Sequence, residues 1–291
     1  MTTSDDTPVI ATEEEITSPA PPPRPLFLDR ARLEKVLPWI IILAFFLLWE
    51  FGSRVVLPLF TPRPEIVLPA PSAILPAMIE DWRAIVQNSL YTLETTLIGF
   101  AIAIVVGVAG GVAIGSSRLA YAGFYPILIG FNAVPKIAVV PVLVLWFGIG
   151  TIPAILTAFL ISFFPILVNV ATGIATVEPE LKDVCRALGA RNSDIVWKIG
   201  LPRSMPYFFA SLKVAITVAF VGSILAEATA GNHGIGHLTS YAAAQFRVPL
   251  VFGGLIVTAA MGILLYYIAA WFETRMTGWA TRGMDNPVAG Y

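Results

Sequence analysis

Long apolar stretches alternate with short polar segments along most of this chain. Six stretches are apolar and long enough to cross a membrane as helices, because a crossing of about 30 Å takes about 20 residues whose backbone groups bond within the segment. The pattern therefore predicts an all-α integral membrane protein with six transmembrane helices. Their approximate bounds are residues 37–56, 90–115, 121–147, 152–176, 207–226 and 250–271.

The composition indicates that lipid, rather than water, surrounds this chain. Hydrophobic residues make up 57% of the 291 residues and charged residues 13%, whereas about a quarter of a soluble domain is charged. The net charge of −1 offers no basic surface for nucleic acid, which excludes that class of partner. One cysteine and two histidines leave too few ligands for a metal centre, so no metal site is predicted.

The two ends of the chain differ from its apolar middle. Residues 1–36 combine acidic residues with a run of prolines. Such a segment buries too little apolar surface to fold, and it is predicted to be a disordered cytoplasmic tail. The transmembrane domain then covers residues 37–276, and residues 277–291 form a C-terminal tail.

Lysine and arginine are distributed unequally between the two sides of the predicted bundle. With the N-terminal tail inside, the inner segments hold twelve of these residues and the outer segments four. Positive charge in short loops favours the cytoplasmic side. Both termini and the 177–206 loop are therefore predicted to be cytoplasmic.

Two local patterns predict packing and surface structure. Small residues recur every four positions in the second stretch and are predicted to form a ridge over which another helix packs closely. They are Gly99, Ala103, Gly107, Gly111 and Gly115. On the outer side, apolar residues at three- and four-residue steps predict one amphipathic surface helix from Ser72 to Gln87.

The 177–206 loop has the signals of two short helices. Pro179 suits the first turn of a helix, where its missing N–H costs nothing. Gly189 suits the C-terminal end of that helix, and Asn192 or Ser193 suits the cap of the next. The loop is therefore predicted to be two helices that meet at a glycine.

One face of the first loop helix is predicted to be apolar. Leu181, Cys185 and Leu188 share that face, and an apolar stripe on a polar loop needs a partner, either the bundle or another protein. Pro202 and Pro206 are predicted to interrupt the chain before the fifth span.

The spacing of this loop is similar to the signature of ABC-importer permeases. That signature runs Glu-Ala-Ala, three residues, Gly, nine residues, Ile, any residue, Leu-Pro. Here Asp183-Val184-Cys185 stands at the opening triplet, followed by Gly189, Ile199 and Leu201-Pro202 at the same spacing. The resemblance implies that an ATPase subunit couples to these loop residues: Glu180, Asp183, Val184, Cys185, Ala187, Leu188, Gly189, Ala190, Ile199, Leu201 and Pro202.

Other short matches, in the same order, resemble one branch of that family. They are Leu-Pro-Ala-Pro-Ser at 68–72, Val-Pro-Lys-Ile-Ala at 134–138, Trp-Phe-Gly-Ile-Gly at 146–150 and Gly-Ile-Gly at 234–236. The branch imports nitrate, sulfonates, taurine, bicarbonate and pyrimidine precursors. The resemblance implies a type I ABC importer permease fold in a bacterial inner membrane.

The same resemblance implies the partners of the chain. They are a second copy of the chain, two ATPase subunits, a periplasmic solute-binding protein and the surrounding lipid. A P-loop needs Gly-Lys followed by Ser or Thr, and none of the five lysines here follows a glycine. The chain is therefore predicted to be no enzyme and to hold no cofactor, with ATP and Mg bound by the ATPase partner.

Four polar residues within the spans are candidates for the translocation path: Asn132, Lys136, Asn169 and Glu227. A charge at the depth of Lys136 costs about 3 kcal/mol on insertion scales, so its side chain must face protein or a water-filled cavity. Two interpretations stay open for it, a contact with an anionic solute or a structural charge satisfied by carbonyls freed beside the prolines. Asn169 has the alternative of a helix–helix hydrogen bond, and Glu227 is predicted to lie at the outer face, where it meets a docking protein or closes a gate.

Three other functions compete with the permease. A secondary transporter driven by an ion gradient needs paired carboxylates or an inverted repeat, and the sequence has neither. An embedded enzyme needs convergent His, Asp, Glu or Ser within the spans. An assembly scaffold stays open.

Overall fold

A computed structural model of the chain describes residues 30–281, and all of these that form regular structure are helical. Residues 1–29 and 282–291, the greater part of the predicted tails 1–36 and 277–291, lie outside the described residues, and the last helix extends through residues 277–281. The first helix, α1, spans Arg30–Phe51, so residues 30–36 belong to a helix and not to the predicted tail. The described residues fall into two compact units that divide between Leu47 and Leu48.

The remaining helices follow α1 in order. They are α2 Pro64–Val67, α3 Pro71–Glu80, α4 Trp82–Gly115, α5 Arg118–Ala133, α6 Val140–Phe147, α7 Thr151–Ala175, α8 Pro179–Ala187, α9 Asn192–Ile195, α10 Leu201–Ala230, α11 Ile235–Ala244 and α12 Val248–Thr281. Short π-helical turns cover Gly52–Val56 and Val196–Gly200, and 3₁₀ turns cover Leu57–Leu59 and Lys136–Val139.

The predicted surface helix from Ser72 to Gln87 is two helices. Asp81, with φ −99° and ψ 17°, separates α3 from α4, and its carboxylate pairs with the Arg247 guanidinium. The second half of the predicted helix is therefore the start of α4. This helix has 34 residues and is about 51 Å long at 1.5 Å per residue, so it extends beyond the hydrocarbon region.

The core is a three-helix arrangement in which α7 packs against α4 on one side and α10 on the other. The predicted ridge of small residues is the α4 face of this contact, and all five of its members are buried. A β-carbon placed on Gly99 would lie 2.6 Å from the Ile155 carbonyl oxygen, and one on Gly111 would lie 2.7 Å from Val170 Cβ. The ridge prediction is confirmed, since the close approach at these glycines leaves no room for a β-carbon.

The third predicted span, 121–147, is broken. Arg118–Asn132 and Lys136–Phe147 are bent by 79° relative to each other. Pro135 has no N–H for the helix, and a proline holds the residue before it in extended backbone; accordingly Val134 has φ −66° and ψ 130°. The sequence contained this signal, but the long apolar run was interpreted as one straight helix.

The fifth span begins earlier than predicted. Helix α10 starts at Leu201, with Pro202 in its first turn and Pro206 inside it. Pro202 lies where a missing N–H costs nothing, so it begins the helix instead of interrupting the chain. Among the described residues, five helices are long and apolar enough to cross a membrane, and the count reaches six when the bent pair is taken as one span.

Candidate coupling site and translocation path

Helix α8 ends at the glycine that the sequence predicted. Gly189 has φ +83°, its N–H donates to the Arg186 carbonyl at 2.9 Å, and the Ala190 N–H donates to the Cys185 carbonyl at 3.0 Å. This pair of bonds is the Schellman motif. The motif favours glycine because the residue after the helix C-cap adopts the left-handed backbone conformation. No heavy atom lies within 4 Å of a β-carbon placed on Gly189, so backbone conformation alone demands the glycine.

The exposed apolar residues of α8 differ from the predicted stripe. Leu181 and Cys185 are half-buried, whereas Val184 is 57% exposed and Leu188 is 82% exposed. Val184 and Leu188 are four residues apart and share one face of the helix. The outward face is therefore centred on Val184, and the i, i+4 spacing of these two residues was the signal that could have found it.

The predicted coupling residues are thus divided by exposure. Exposed are Glu180, Asp183, Val184, Ala187, Leu188, Gly189 and Pro202, and half-buried are Cys185, Ala190, Ile199 and Leu201. The predicted cap of the second loop helix is corrected: Arg191 holds that position, with its N–H donating to Asp194 Oδ2 at 3.2 Å.

Two contacts connect α8 to the spans on either side of it. The Glu178 carboxylate, at the N-cap of α8, accepts two N–H groups from Arg203 of α10. Lys182 Nζ donates to the carbonyl of Ala175, the last residue of α7, at 3.3 Å. The pKa of the Glu178 carboxyl lies below its usual value because its own backbone N–H donates to it and because Arg203 pairs with it.

Lys136 and Asn132 lie together at the break in the third span. Lys136 Nζ donates to the Asn132 carbonyl at 3.0 Å and to Asn132 Oδ1 at 2.9 Å. It also lies 5.4 Å from the centre of the Phe164 ring, a cation–π distance. The carbonyl contact agrees with the structural interpretation of this lysine, and the residue as a whole is half-buried.

Asn169 contacts its own helix. Its Nδ2 donates to the Pro165 carbonyl at 2.8 Å. The predicted alternative of a helix–helix hydrogen bond is therefore not the bond formed here, and the structure does not join Asn169 to the Lys136 pair.

Glu227 is not at an open surface, which corrects its prediction as a docking or gating contact. Its side chain is 1% exposed. Glu227 Oε2 accepts from Thr92 Oγ1 at 2.7 Å and from the Gly236 N–H at 3.2 Å, and Oε1 accepts from Thr95 Oγ1 at 3.2 Å. The chain after α10 folds back over the carboxylate so closely that a β-carbon on Gly234 would lie 2.1 Å from Glu227 Cδ.

The sequence interpretation missed the partners of Glu227. Thr92 also accepts the Ile235 N–H at 2.8 Å, and Asn88 Oδ1 accepts the Gly234 N–H at 2.7 Å. These bonds hold the segment before α11 against α4. Polar residues within an apolar stretch, such as Thr92 and Thr95, were the available signal, but their partner lies more than 130 residues away along the chain.

Five helices long and apolar enough to span a membrane, with the glycine-ended α8 in the loop between α7 and α10, are the features that the family of this chain must account for. Residues 99–278 match the family described as "Binding-protein-dependent transport system inner membrane component", and the chain belongs to that family. It is therefore the transmembrane permease subunit of an ABC importer, which works with a separate ATPase subunit and a solute-binding protein.

Curated relatives cover most of this chain. A probable ABC transporter permease of Haemophilus influenzae is 25% identical over 82% of this chain and 95% of its own length. A formylaminopyrimidine transport permease of Halalkalibacterium halodurans is 26% identical over 83% and 95%. A taurine transport permease of Escherichia coli is 26% identical over 79% and 84%.

Solved structures share the fold. A chain of the MetNI methionine ABC transporter, in an inward-facing conformation, superimposes with a TM-score of 0.54 at 19% identity, covering 65% of this chain and 94% of that one. A second crystal form gives a TM-score of 0.52 at 20% identity. The predicted permease fold is thereby confirmed.

Proposed function

We propose that this permease works as a homodimer with two ATPase subunits in a bacterial inner membrane, and that α8 is its coupling helix. The observation that carries the proposal is the outward face of α8, where Val184 and Leu188 are 57% and 82% exposed on a helix fixed by its glycine end. Exposed apolar side chains centred on a rigid element are typical of a protein-binding surface. Both chain termini and the 177–206 loop lie in the cytoplasm, where ATP is available.

The contacts around α8 provide a path for coupling. When the ATPase subunits close on ATP, α8 moves with them. The Glu178–Arg203 pair transmits that motion to α10, and the Lys182–Ala175 contact transmits it to α7. Since α7 packs against both α4 and α10, a rotation of this core opens the two permeases outward, and hydrolysis returns them to the inward-facing state.

The proposed solute is a small polar or anionic molecule of the nitrate, sulfonate, taurine, bicarbonate or pyrimidine-precursor type. Relatives of similar identity include transport permeases for formylaminopyrimidine, riboflavin and taurine. The ammonium group of Lys136 supports an anion. A periplasmic solute-binding protein delivers the solute to the outer side of the dimer.

The coupling role is tested with the exposed leucine of α8. In a complex purified with its ATPase subunits, Leu188→Asp is expected to weaken retention of the ATPase at least about tenfold. The reason is that a charged side chain replaces an apolar one that the ATPase would bury. Uptake of labelled solute into proteoliposomes with internal ATP is expected to fall in parallel.

A matched control separates docking from folding. Leu119, at the start of α5, is 86% exposed and lies outside the 177–206 loop. Leu119→Asp is expected to retain the ATPase. If Leu188→Asp binds the ATPase as tightly as wild type does, α8 is not the coupling helix. If uptake proceeds without ATP and stops with an ionophore, the ion-driven alternative replaces the proposal.

A further inference from the structure

A cavity of about 720 Å³ lies between α8 and the turn that joins α4 to α5. Its floor is apolar and buried, formed in part by Ile174 and Ile195, which are 2% and 5% exposed. Its wall carries three cationic side chains, Arg118, Lys182 and Arg186. The volume lies within the range of small-molecule sites, about 300–1,000 Å³.

The charges in this cavity do not cancel. Asp183 is the single carboxylate in the lining, and it is paired with Arg186 at 2.9 Å. Lys182 donates to a neutral carbonyl, which leaves its charge uncompensated. Among the described residues, Arg118 has no carboxylate within ion-pair distance. The lining therefore keeps an excess of two positive charges beside neutral donors such as Ser116 and Asn192.

The basic wall and the proposed ATPase contact occupy opposite faces of α8. Lys182 and Arg186 are four residues apart and so share one face of the helix. Val184 lies between them in sequence, about 160–200° away around the helix at 100° per residue. An occupant of the cavity therefore leaves the Val184–Leu188 face free.

We propose that this cavity binds a phosphate group, with the headgroup of an anionic phospholipid as its favoured source. A phosphate diester or monoester balances one or two of the uncompensated charges, and arginine and lysine donate to its oxygens in charge-assisted hydrogen bonds. Basic pockets between transmembrane helices are a common form of headgroup recognition. The cavity volume exceeds that of a free phosphate ion and suits a phosphate with its glycerol. The apolar floor accommodates the first carbons of the lipid acyl chains.

The site would join α5 to α8, two helices between which residues 30–281 contain no hydrogen bond or ion pair. Arg118 belongs to α5, and Lys182 and Arg186 belong to α8. A phosphate between them would hold the proposed coupling helix against the α4–α5 turn. The binding itself does not rest on the proposed role of α8, so it can be tested on the purified permease without an ATPase.

The test compares two double variants that each remove two positive charges. Arg118→Gln with Lys182→Gln removes the two uncompensated charges of the cavity and leaves the Arg186–Asp183 pair. Arg191→Gln with Lys198→Gln removes exposed charges of the 177–206 loop that do not line the cavity. Native mass spectrometry in neutral detergent, with added phosphatidylglycerol or phosphatidylcholine, measures lipid retention. Thermal unfolding with added inorganic phosphate or glycerol phosphate measures the soluble ligands.

Wild type and the control are expected to retain one phosphatidylglycerol that the cavity variant binds at least about tenfold more weakly, with no such difference for phosphatidylcholine. Arg118→Lys keeps the charge that Arg118→Gln removes, and it is expected to retain phosphatidylglycerol as wild type does. If the soluble phosphates stabilise wild type but not the cavity variant, and phosphatidylglycerol shows no difference, the phosphate site stands and its source is a soluble ligand. If the two double variants behave alike toward every probe, the proposal is overturned.

Discussion

At the scale of single residues, Glu227 shows how a carboxylate is accommodated inside an apolar bundle. Burying an isolated charge is costly, and the cost falls when hydrogen-bond donors surround it. No salt bridge to Glu227 occurs within the described part of the chain; its oxygens accept from hydroxyls of α4 and from the Gly236 backbone. The carboxylate thereby connects α4, α10 and the start of α11.

Removing that carboxylate is expected to destabilise the permease. Glu227→Ala leaves the Gly236 N–H without its acceptor, whereas the Thr92 and Thr95 hydroxyls keep the backbone carbonyls of Asn88 and Thr92. The expected cost is about 1–3 kcal/mol, the usual cost of one unsatisfied buried donor. Thermal unfolding in detergent measures the loss.

The control for this prediction is Glu94→Ala, because Glu94 is an exposed glutamate of the same α4. Its unfolding temperature is expected to stay close to that of wild type. Equal losses in the two variants would mean that Glu227 does not hold the segment before α11 in place.

At the scale of elements, the contact between α4 and α7 depends on the small residues of the α4 ridge. Without a hydrophobic driving force between helices in lipid, close packing supplies much of the association energy. The ridge allows the backbones to approach along several turns, from Gly99 opposite Ile155 to Gly115 opposite Ala171. One added methyl group on this ridge must therefore separate two helices.

Gly111→Ala is expected to reduce stability by about 1–3 kcal/mol, the usual cost of overpacking, because its new β-carbon would lie 2.7–2.8 Å from Val170 side-chain atoms. Gly130→Ala in α5 is the matched control, since no heavy atom lies within 4 Å of a β-carbon there. Unfolding temperatures in detergent compare the two. A Gly111→Ala protein as stable as the control would show that α4 and α7 adjust without cost.

The elements also show what the sequence could predict. The ridge could be predicted because residues four positions apart lie on one face of a helix. That prediction does not require knowing which helix packs against the face. The break at Pro135 was marked by the proline, yet hydropathy alone does not distinguish a straight span from a bent pair. The position of Glu227 depends on a chain segment that returns over it, and such long-range contacts leave no periodic signal in the sequence.

The candidate site was predicted in the same uneven way. Gly189 and the helix it ends followed from local turn chemistry, and the left-handed conformation confirms that part. The outward face of α8 did not, because three residues one or two turns apart were interpreted as a stripe without knowledge of which side met the bundle. The Glu178–Arg203 pair joins residues 25 positions apart, and only the fold brings them together.

At the scale of the whole molecule, the unequal distribution of charge is the basis of the proposed orientation. Both lysines within the spans have polar partners. Lys136 donates to Asn132, and Lys213 Nζ lies 2.5 Å from the Glu273 carboxylate. Satisfied charges of this kind do not compete with those in the loops. The proposed orientation therefore rests on the excess of lysine and arginine in the predicted inner segments, which include the 177–206 loop.

The single cysteine of the chain makes this orientation measurable without adding a label site. Cys185 lies on α8, and the residue is half-buried. In intact cells a membrane-impermeant maleimide is expected to leave Cys185 unmodified, and to modify it after the inner membrane is permeabilised. Cys185→Ser combined with Glu65→Cys reports on the opposite end, because Glu65 is exposed in α2.

The reporter at Glu65 is expected to react in intact cells whose outer membrane admits the reagent. Together the two reporters give opposite patterns, which only one orientation satisfies. If Cys185 reacts in intact cells and Glu65→Cys reacts only after permeabilisation, α8 lies on the outer side of the membrane. ATP is absent from that side. The coupling role of α8 would then fail for a reason that no binding experiment on the purified subunit reveals, because orientation is a property of the protein in its membrane.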